Sequence, residues 1–502
     1  MHSRESPVLL NDGPTCPAID CLTEKEIGMR RTRIVCTIGP SSLETKVLLA
    51  LHDAGLSVAR LNGSHANLEW HREAISRIHE VLPDVPILLD IPGRKIRTIQ
   101  LAHEPEFSTG DLVILTTDTS HDGTRKVPVN YPNLHADLSP GNTVMADDGT
   151  LRFTVVKIEG PDIHCRAEST GQLKSRKGIN VPFVKLNTPQ VTARDEQMIA
   201  FACDNGVDFI GLSFVESADH ILAFRALIRG RGPRIVAKVE NQGGMNNVRE
   251  IVEATDAIMI DRGDLSVETS LHDVAIKQKQ IIDAARRHGK PVIVATEMLH
   301  TMIENPFPTK AEVTDISNAV LDGCAATMLS GETAIGAYPL EAVTTMRQVI
   351  DAAESHLQSE IQAAHVSSGT SVPEAISSVI PTLCRSLPIT KIVAITRSGY
   401  AARMIATHRL HQPIFAVSDD AAAARSFNLI AGTTGVFSDI PFSRISTDHI
   451  VHVLRLLWVK GLMRNDDVVL VTGISYPTPG SRMNTIQIFN IGELSRTLEW
   501  CP

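Results

Sequence analysis

Short apolar runs alternate along the chain with longer segments in which apolar residues recur at helical spacing. Runs that are apolar throughout are typical of parallel strands covered on both faces. Helical segments such as Leu43–Ala54, Leu68–Leu82 and Ala218–Arg229 follow most of them. About eight such units predict an α/β fold with a (β/α)8 TIM barrel. The runs are RIVCTI (33–38), SVARL (57–61), PILLD (86–90), DFIGLSF (208–214), RIVAKV (234–239), DAIMI (256–260), PVIVAT (291–296) and ATMLS (326–330).

The pattern changes between the third and fourth of these runs. From Thr98 to Pro189 the chain is rich in Gly, Pro, Thr and Asp, with β-like runs such as LVILTT, TLRFTVVKI and DIHCRA. This composition predicts a small β domain inserted after the third barrel strand. Because the insertion leaves from the carboxyl end of a strand, which is the active-site face of a barrel, a lid is its natural role.

A second change follows a predicted helix near Pro339–His356, where the small and polar segment Ala363–Val372 reads as a linker. Beyond it, KIVAIT, PIFAVS, DVVLVT and TIQIFNI alternate with helical segments and predict a separate α/β domain. The predicted organisation is an N-terminal tail (1–30), a discontinuous barrel (31–98 and 186–357), an inserted β lid (99–185) and a C-terminal α/β regulatory domain (358–502).

Composition and charge narrow the class of protein. The chain has 502 residues, 43% hydrophobic and 21% charged, which is ordinary for a globular protein. No apolar run approaches the ~20 residues of a membrane span, and the N-terminus lacks the order of a secretory signal. The eight Cys are scattered, and Cys16 and Cys21 have no second pair at zinc spacing, so we expect reduced thiols in the cytoplasm.

The net charge of −9 and the lack of a basic stripe argue against a nucleic-acid partner. An anionic small-molecule substrate would need local Lys and Arg residues or a bound cation to offset this acidity.

Polar residues recur at the carboxyl ends of the predicted strands, where barrel enzymes carry their active sites. Strand ends always meet polar loops, which explains one or two such residues but not the whole set. The set comprises Arg60, Asn62, Asp90, Ser213, Lys238, Glu240, Asp264, Thr296 and the run from Ser330 to Glu332.

The segment AKVEN places Lys238 and Glu240 two residues apart, so on a strand they face the same side. The two could form a plain ion pair. Glu240 could instead hold a divalent cation, with Lys238 neutralising a transferred anion. Asp264 supplies a second carboxylate, as in the usual magnesium arrangement. Gly263 permits close backbone approach, so nearby N–H groups could bind a small carboxylate.

Arg60 and Arg97 are candidate phosphate clamps, because a guanidinium meets phosphate in a bidentate fashion. Each alone is more often a surface charge. Together with a metal site on the same barrel face, they describe phosphoryl transfer.

The chain resembles the pyruvate kinase family from Arg31 to about Gly492. The lid, the stretch KSRKGINVP and the C-terminal domain fall in the family's order. The motifs that carry the resemblance are RRTRIVCTIGPSS, VARLNGSHA, RIVAKVENQGG, IMIDRGDLSVE, NPFPTKAEVTDISNAVLDG and MLSGETAIGAYPLEAV.

The resemblance implies transfer of phosphate from phosphoenolpyruvate to ADP, giving pyruvate and ATP in glycolysis, usually by a homotetramer. By their positions in the matching motifs, Lys238 would stabilise the phosphoryl group during its transfer, while Glu240 and Asp264 would hold Mg²⁺ or Mn²⁺. Thr296 would assist protonation of the enolate, and Arg60 would contact the phosphate. The same comparison places Ser213 and Gly263 at the substrate, and Asn62, His65, Arg97 and Arg194 on the nucleotide side.

One departure from the family concerns potassium. Family members that need K⁺ have a Thr after the strand-three Asp and a Glu shortly before the Arg. Here Ile91 and Lys95 stand at these positions. A fixed ammonium near Asn62, Ser64 and Asp90 could replace the monovalent cation, which predicts potassium independence.

Other departures concern the substrate. Either these side chains point away from the site and are neutral, or they weaken binding of a trianionic substrate and mark a divergent paralogue acting on a related enol phosphate. The family usually has Ala at Asp261, Gly at Ser266, Gln at Glu297, Phe or Tyr at Gly63, Arg at Glu216 and Lys at Arg194.

In the C-terminal domain, Thr396, Ser398 and Gly399 follow a strand and open a helix, which favours phosphate. The family binds sugar-phosphate effectors at this place. Tyr400 departs from the family's run, and Arg482 on the facing loop could assist, so an effector and no effector both stay open.

Two other functions are compatible with part of this pattern. A Mg²⁺-dependent lyase or aldolase acting through a pyruvate enolate would share Glu240 and Asp264 but would need neither a nucleotide clamp nor a lid. A non-catalytic protein would tolerate loss of Lys238, Glu240, Asp264 or Thr296, and all four are present.

Overall fold

The structure is a computed structural model that describes residues 31–93, 95–230, 232–360, 371–442, 446–474 and 483–500. The predicted tail, most of the predicted linker and Arg482 lie outside these ranges. The helices formed by the described residues include none with the length and apolarity that crossing a bilayer requires.

The strands run along the chain in the order predicted by the apolar runs, with further strands in the insertion. They are β1 (Arg33–Thr37), β2 (Leu56–Asn62), β3 (Ile87–Ile91), β4 (Ile96–Arg97), β5 (Glu106–Phe107), β6 (Leu112–Thr116), β7 (Val127–Pro128), β8 (Thr143–Ala146), β9 (Leu151–Glu159), β10 (Asp162–Ala167), β11 (Gly171–Gln172), β12 (Gly178–Asn180), β13 (Phe209–Leu212), β14 (Arg234–Val239), β15 (Ala257–Asp261), β16 (Val292–Ala295), β17 (Ala326–Leu329), β18 (Lys391–Ile395), β19 (Ile414–Ser418), β20 (Thr433–Phe437), β21 (Val468–Gly473) and β22 (Thr485–Asn490).

The helices alternate with the strands of the barrel and of the C-terminal sheet. They are α1 (Thr45–Ala54), α2 (Leu68–Val81), α3 (Leu134–Asp137), α4 (Ala193–Asp204), α5 (Ala218–Leu227), α6 (Gln242–Asn246), α7 (Val248–Ala254), α8 (Arg262–Glu268), α9 (Val274–Arg287), α10 (Lys310–Asp322), α11 (Gly331–Ala334), α12 (Pro339–Glu360), α13 (Val372–Ser386), α14 (Tyr400–Ala406), α15 (Ala421–Ser426), α16 (Asp448–Val459) and α17 (Ile491–Thr497).

A closed parallel barrel forms from the order β1-β17-β16-β15-β14-β13-β3-β2. All eight predicted runs are strands of this barrel, and their ends differ from the prediction by at most two residues. The runs are apolar throughout because one face fills the barrel interior, with Val35, Leu88 and Met259, and the other packs under the helices, with Ile34 and Leu61. The predicted fold class is confirmed.

The insertion after β3 forms a seven-stranded mixed sheet in the order β4-β12-β8-β9-β10-β6-β7, with its own core around Leu115, Phe153 and Ile163. Its first and last strands pair with each other, so the chain enters and leaves this unit at one place. There Asn180 donates from Nδ2 to Oε1 of Glu268 on the barrel, at 2.7 Å. Burial raises the pKa of Glu268 to about 7.

The C-terminal unit is a five-stranded sheet in the order β20-β19-β18-β21-β22, parallel except for β22. All four runs predicted here are strands, whereas β20 was missed. Its sequence, TTGVF, is short and interrupted by Gly435, and glycine is depleted in strands. The predicted domain boundaries stay predictions.

Candidate active site

Strand β14 delivers Lys238 and Glu240 to the same side of the barrel mouth, as their spacing predicts. Nζ of Lys238 lies 3.2 Å from Oε2 of Glu240, and both side chains are buried. The other oxygen of Glu240 accepts a hydrogen bond of 2.6 Å from the backbone N–H of Phe214, at the end of the neighbouring strand. Two barrel strands therefore hold this carboxylate in place.

Two further carboxylates come from the next strand and the helix that follows it. Asp261 is the last residue of β15, and Asp264 lies in the first turn of α8. One oxygen each from Glu240, Asp261 and Asp264 lie within 4.8 Å of one another.

These residues fit a hard divalent cation, which prefers oxygen ligands. Oε2 of Glu240 is fully buried and forms no hydrogen bond, with the Lys238 ammonium 3.2 Å away. Because three carboxylates share this one ammonium nearby, a divalent cation would further offset their buried negative charge.

Lys238 lies at the centre of a larger charge network. Its Nζ is 3.0 Å from Oδ2 of Asp261, 3.5 Å from Oδ2 of Asp90 and 3.3 Å from Oγ of Ser213. Arg60 donates from Nη2 to the same oxygen of Asp90 at 2.5 Å. The ammonium and the guanidinium are thus held side by side by one shared carboxylate.

The network favours the charged form of Lys238 and disfavours the charged forms of Glu240 and Asp264. Burial alone would lower the pKa of Lys238, but the carboxylates of Asp90, Glu240 and Asp261 outweigh it and hold the pKa well above the ordinary value. Burial, together with the neighbouring carboxylates, raises the pKa of Glu240 well above its usual range. Burial also raises the pKa of Asp264. A divalent cation would relieve this crowding of negative charge.

Thr296 and Gly263 meet beside these carboxylates. The backbone N–H of Gly263 donates to Oγ1 of Thr296 at 2.9 Å. Thr296 has φ 67°, which is unusual for a β-branched residue and is typical of functional sites. Arg262 holds this backbone by donating to the Thr296 carbonyl at 2.8 Å and by pairing with Asp315 at 2.6 Å.

Lys95 pairs with a carboxylate of the candidate metal site, which the sequence did not indicate. Its Nζ lies 2.6 Å from Oδ1 of Asp264, and its predicted place near Asn62, Ser64 and Asp90 stays a prediction. Oδ2 of Asp90 contacts Arg60 and Lys238, whereas its Oδ1 is buried without a hydrogen bond, and Oδ1 of Asn62 accepts the Ser64 N–H. Burial would lower the pKa of Lys95, but Asp264 outweighs it and raises the pKa.

The predicted nucleotide-side residues contact the loop after β2 and the inserted unit. His65 is exposed and therefore accessible to a ligand. Arg97 donates from Nη1 to the Arg176 carbonyl in the inserted unit at 3.2 Å. Arg194 donates from Nη2 to the Gly63 carbonyl, also at 3.2 Å. Their role stays a prediction.

Gly63 departs from the family's aromatic residue for a packing reason. A Cβ built at this position would lie 2.6 Å from the Asp90 carbonyl oxygen and 2.7 Å from Cε of Met198. Met198 therefore fills the space that a side chain at Gly63 would need.

The acidic residues at which the chain departs from the family differ in their exposure and in their contacts. Glu297 is exposed to solvent. Glu216 lies at the edge of the site and accepts a hydrogen bond from Nδ2 of Asn241 at 3.1 Å. Asp261 faces inward onto Lys238. In the sequence Asp261 stands out only as a departure from the family, and its position three residues before Asp264 is the signal that places it with the carboxylates.

A cavity of about 750 Å³ opens beside these residues, between the last segment of the inserted unit and the loops after β13 and β14. Its lining includes Lys95, Asn180, Phe183, Glu216 and Asn241. This volume suits a small-molecule ligand.

The predicted effector residues lie at the start of α14, after β18. Oγ1 of Thr396 accepts the Gly399 N–H at 3.0 Å, and Gly399 has φ 75°. The carbonyl oxygen of Ser398 accepts a hydrogen bond from Nη1 of Arg403 at 2.7 Å. Arg482 lies outside the described residues, so the effector site stays a prediction.

Comparison with known proteins places this site in a family. Residues 29–343 match the family model "Pyruvate kinase, barrel domain", and residues 374–489 match "Pyruvate kinase, alpha/beta domain". A pyruvate kinase of Bacillus licheniformis is 36% identical over 479 residues, which are 93% of this chain and 81% of the relative. One from Geobacillus stearothermophilus is 37% identical with the same coverage.

A solved structure agrees with the sequence comparisons. The crystal structure of a pyruvate kinase from Cryptosporidium parvum superposes with a TM-score of 0.83 at 31% identity, covering 95% of this chain and all of that one. With both family models matched in order and a carboxylate-lined site at the barrel mouth, the chain belongs to the pyruvate kinase family of transferases.

Proposed function

We propose that this chain transfers a phosphoryl group from phosphoenolpyruvate to ADP, giving pyruvate and ATP, as a step of glycolysis. The observation that carries the proposal is the convergence of the Lys238 ammonium with Glu240, Asp261 and Asp264 at the barrel mouth. Relatives named pyruvate kinase at about 36% identity support it.

The chain's own residues account for binding and orientation. Arg60 and Lys238, held side by side on Asp90, would bind the transferring phosphoryl group and neutralise its charge. The backbone at Gly263 would hold the substrate carboxylate, and Ser213 keeps Nζ of Lys238 in position. The hydroxyl of Thr296 lies beside Gly263, where it would assist protonation of the enolate carbon.

A divalent cation, Mg²⁺ or Mn²⁺, would be held by Glu240 and Asp264. When bound, it would supply positive charge to the phosphoryl and enolate oxygens of the substrate. On the nucleotide side, Asn62, His65, Arg97 and Arg194 would contact ADP, and the inserted unit would exclude water from the cleft.

Potassium independence is part of the proposal. The ammonium of Lys95 is partly buried and fixed at 2.6 Å from Asp264, so a permanent positive charge occupies the barrel mouth. A monovalent cation would add little to it.

A coupled assay with phosphoenolpyruvate, ADP and Mg²⁺ tests the function. We expect pyruvate formation in the wild type and a loss of about 10²-fold or more in Lys238→Met, since this variant removes charge stabilisation in the transition state. Lys46→Met, an exposed lysine on α1, is the matched control and should keep full activity. A wild type that releases no pyruvate at saturating Mg²⁺ would overturn the proposal.

The inward position of Asp261 favours one second candidate, a paralogue acting on a related enol phosphate, because it adds negative charge where the substrate would bind. Turnover of other enol phosphates in the same assay, above that of phosphoenolpyruvate, would identify it. Pyruvate release without a nucleotide would indicate the lyase or aldolase alternative instead.

Three finer points are also proposals. The described cysteines are all free, which supports a reducing compartment such as the cytoplasm.

A homotetramer is expected from the family, and light scattering of the full chain tests it. A sugar-phosphate effector at Thr396, Ser398, Gly399 and Arg482 is tested by assaying activity with and without sugar phosphates.

A further inference from the structure

We propose that Asp261 is a third carboxylate ligand of the divalent-cation site, where it compensates for the hold that Lys95 has on Asp264. The inference rests on the proposed function, because it concerns the cation that this function uses. The family's residue at this position is usually Ala, so the resemblance alone assigns it no role.

The first step is the position of Asp261. It ends β15 with its side chain turned into the barrel mouth, and its residue exposure is only 7%. One of its oxygens lies within 4.8 Å of an oxygen of both Glu240 and Asp264. Three carboxylates at this separation are within reach of one hard cation.

The second step is that Asp264 is already engaged. Nζ of Lys95 lies 2.6 Å from Oδ1 of Asp264, and both side chains are largely buried. A fixed ammonium at this oxygen competes with a cation for the same lone pairs and repels it by like charge. With only Glu240 and a shared Asp264, the site would attract a cation less strongly than two unpaired carboxylates.

The third step is the charge balance. Four buried carboxylates, Asp90, Glu240, Asp261 and Asp264, face three cations, Arg60, Lys95 and Lys238. If all are ionised, one negative charge is in excess, and this excess depends on Asp261. Without Asp261 these carboxylates and cations would balance, which would weaken the attraction for a divalent ion.

The surroundings of Glu240 also favour a cation here. Oε2 of Glu240 is wholly buried and forms no hydrogen bond, and the Lys238 ammonium 3.2 Å away is shared with Asp261 and Asp90, so it offsets only part of the negative charge. Asp261 offers Oδ2 to Lys238 at 3.0 Å, whereas its Oδ1 lies towards Gly263, 3.6 Å from the place that a Cβ there would take. Lys238 therefore engages one of the two Asp261 oxygens and leaves the other for a further ligand.

The alternative is that Asp261 only holds Lys238 in position by their ion pair. The two roles differ in what they do to cation binding in the absence of substrate. Loss of a metal ligand weakens binding of the cation directly. Loss of a residue that only positions Lys238 leaves the affinity for the cation unchanged, or increases it, because the freed Lys238 side chain can move away from the carboxylates.

Binding of Mn²⁺ to the full chain, freed of metal, measures this without any turnover. Titration followed by electron paramagnetic resonance gives the dissociation constant for the wild type, Asp261→Asn and Asp261→Ala. We expect both variants to bind at least about tenfold more weakly, since even outer partners of metal ligands cost 10–100-fold. The Ala variant carries the residue that the family uses, which guards against loss of folding.

Glu216→Gln is the matched control. It removes the same unit of charge at the barrel mouth, from a residue bonded to Asn241 and outside the group of three carboxylates, and should keep the wild-type affinity. Lys95→Met should tighten Mn²⁺ binding, because it releases Asp264. Unchanged affinity in both Asp261 variants would overturn the inference alone, whereas a wild type that binds no Mn²⁺ would overturn the metal-dependent function as well.

Discussion

At the scale of single residues, two charge-changing departures from the family lie on either side of the same site. Lys95 pairs with Asp264, and Asp261 pairs with Lys238. Lys95 stands where K⁺-requiring members have a Glu, and Asp261 stands where the family usually has an Ala, so the negative charge of Asp261 offsets part of the positive charge gained at Lys95. A variant that alters only one of them should therefore have a large effect.

Lys95→Met should make activity depend on added potassium. We expect turnover in potassium-free buffer to fall by about tenfold or more, because the variant leaves the negative charge of the site uncompensated, and added K⁺ should restore part of it. The wild type should respond little to K⁺. The measurement is the initial rate of pyruvate formation with and without K⁺.

Lys126→Met is the control for this experiment, since Lys126 also forms a 2.6 Å ion pair, with Asp162, but in the inserted unit. Strong stimulation of the wild type by K⁺ would show that Lys95 does not take the place of the monovalent cation.

At the scale of elements, most strands could be predicted because the apolar run is a local pattern. Strand β20 is the exception in the C-terminal sheet, since Gly435 lies at its centre. A Cβ built on Gly435 would lie 1.8 Å from the Ala424 carbonyl oxygen of α15. Gly435 interrupts the apolar run, so this strand was not predicted, and the same glycine is needed because helix and sheet approach each other closely here.

Gly435→Ala should lower the free energy of unfolding of the C-terminal unit by about 1–3 kcal/mol, because backbone atoms must move apart to admit the methyl group. Gly473→Ala is the matched control on β21, where the nearest atom to an added Cβ is 3.4 Å away. Thermal unfolding followed by circular dichroism compares them. Equal midpoints for the two variants would show that the α15 contact relaxes freely.

At the scale of the whole molecule, a buried ion pair joins the C-terminal unit to the barrel. Nε of Arg425 lies 2.8 Å from Oδ1 of Asp208, whose carboxylate is wholly buried and also accepts the Ile87 N–H at 2.9 Å. Burial raises the pKa of Asp208 to about 6. Because this pKa is higher than in an unfolded chain, the contribution of Asp208 to stability is greatest at low pH and declines as pH rises through about 6.

Arg425→Met should destabilise the protein by about 3 kcal/mol or more at pH 8, where an ionised Asp208 would be left buried without its partner. The loss should be smaller at pH 5, since the carboxyl is then largely protonated. Urea unfolding at both pH values measures the difference, with the exposed Arg385→Met as control. The same loss at both pH values would contradict this account.

The amino-acid sequence by itself determined the barrel, the inserted β unit and the shared face of Lys238 and Glu240. These follow from spacing along one strand or from the length of an apolar run, which are local properties of the chain. Only the tertiary structure decided that Lys95 meets Asp264, that Asp261 turns inward and that Arg425 reaches Asp208. These contacts join residues far apart in the chain or depend on where a strand ends, and a shift of one residue there would turn the side chain to the other face.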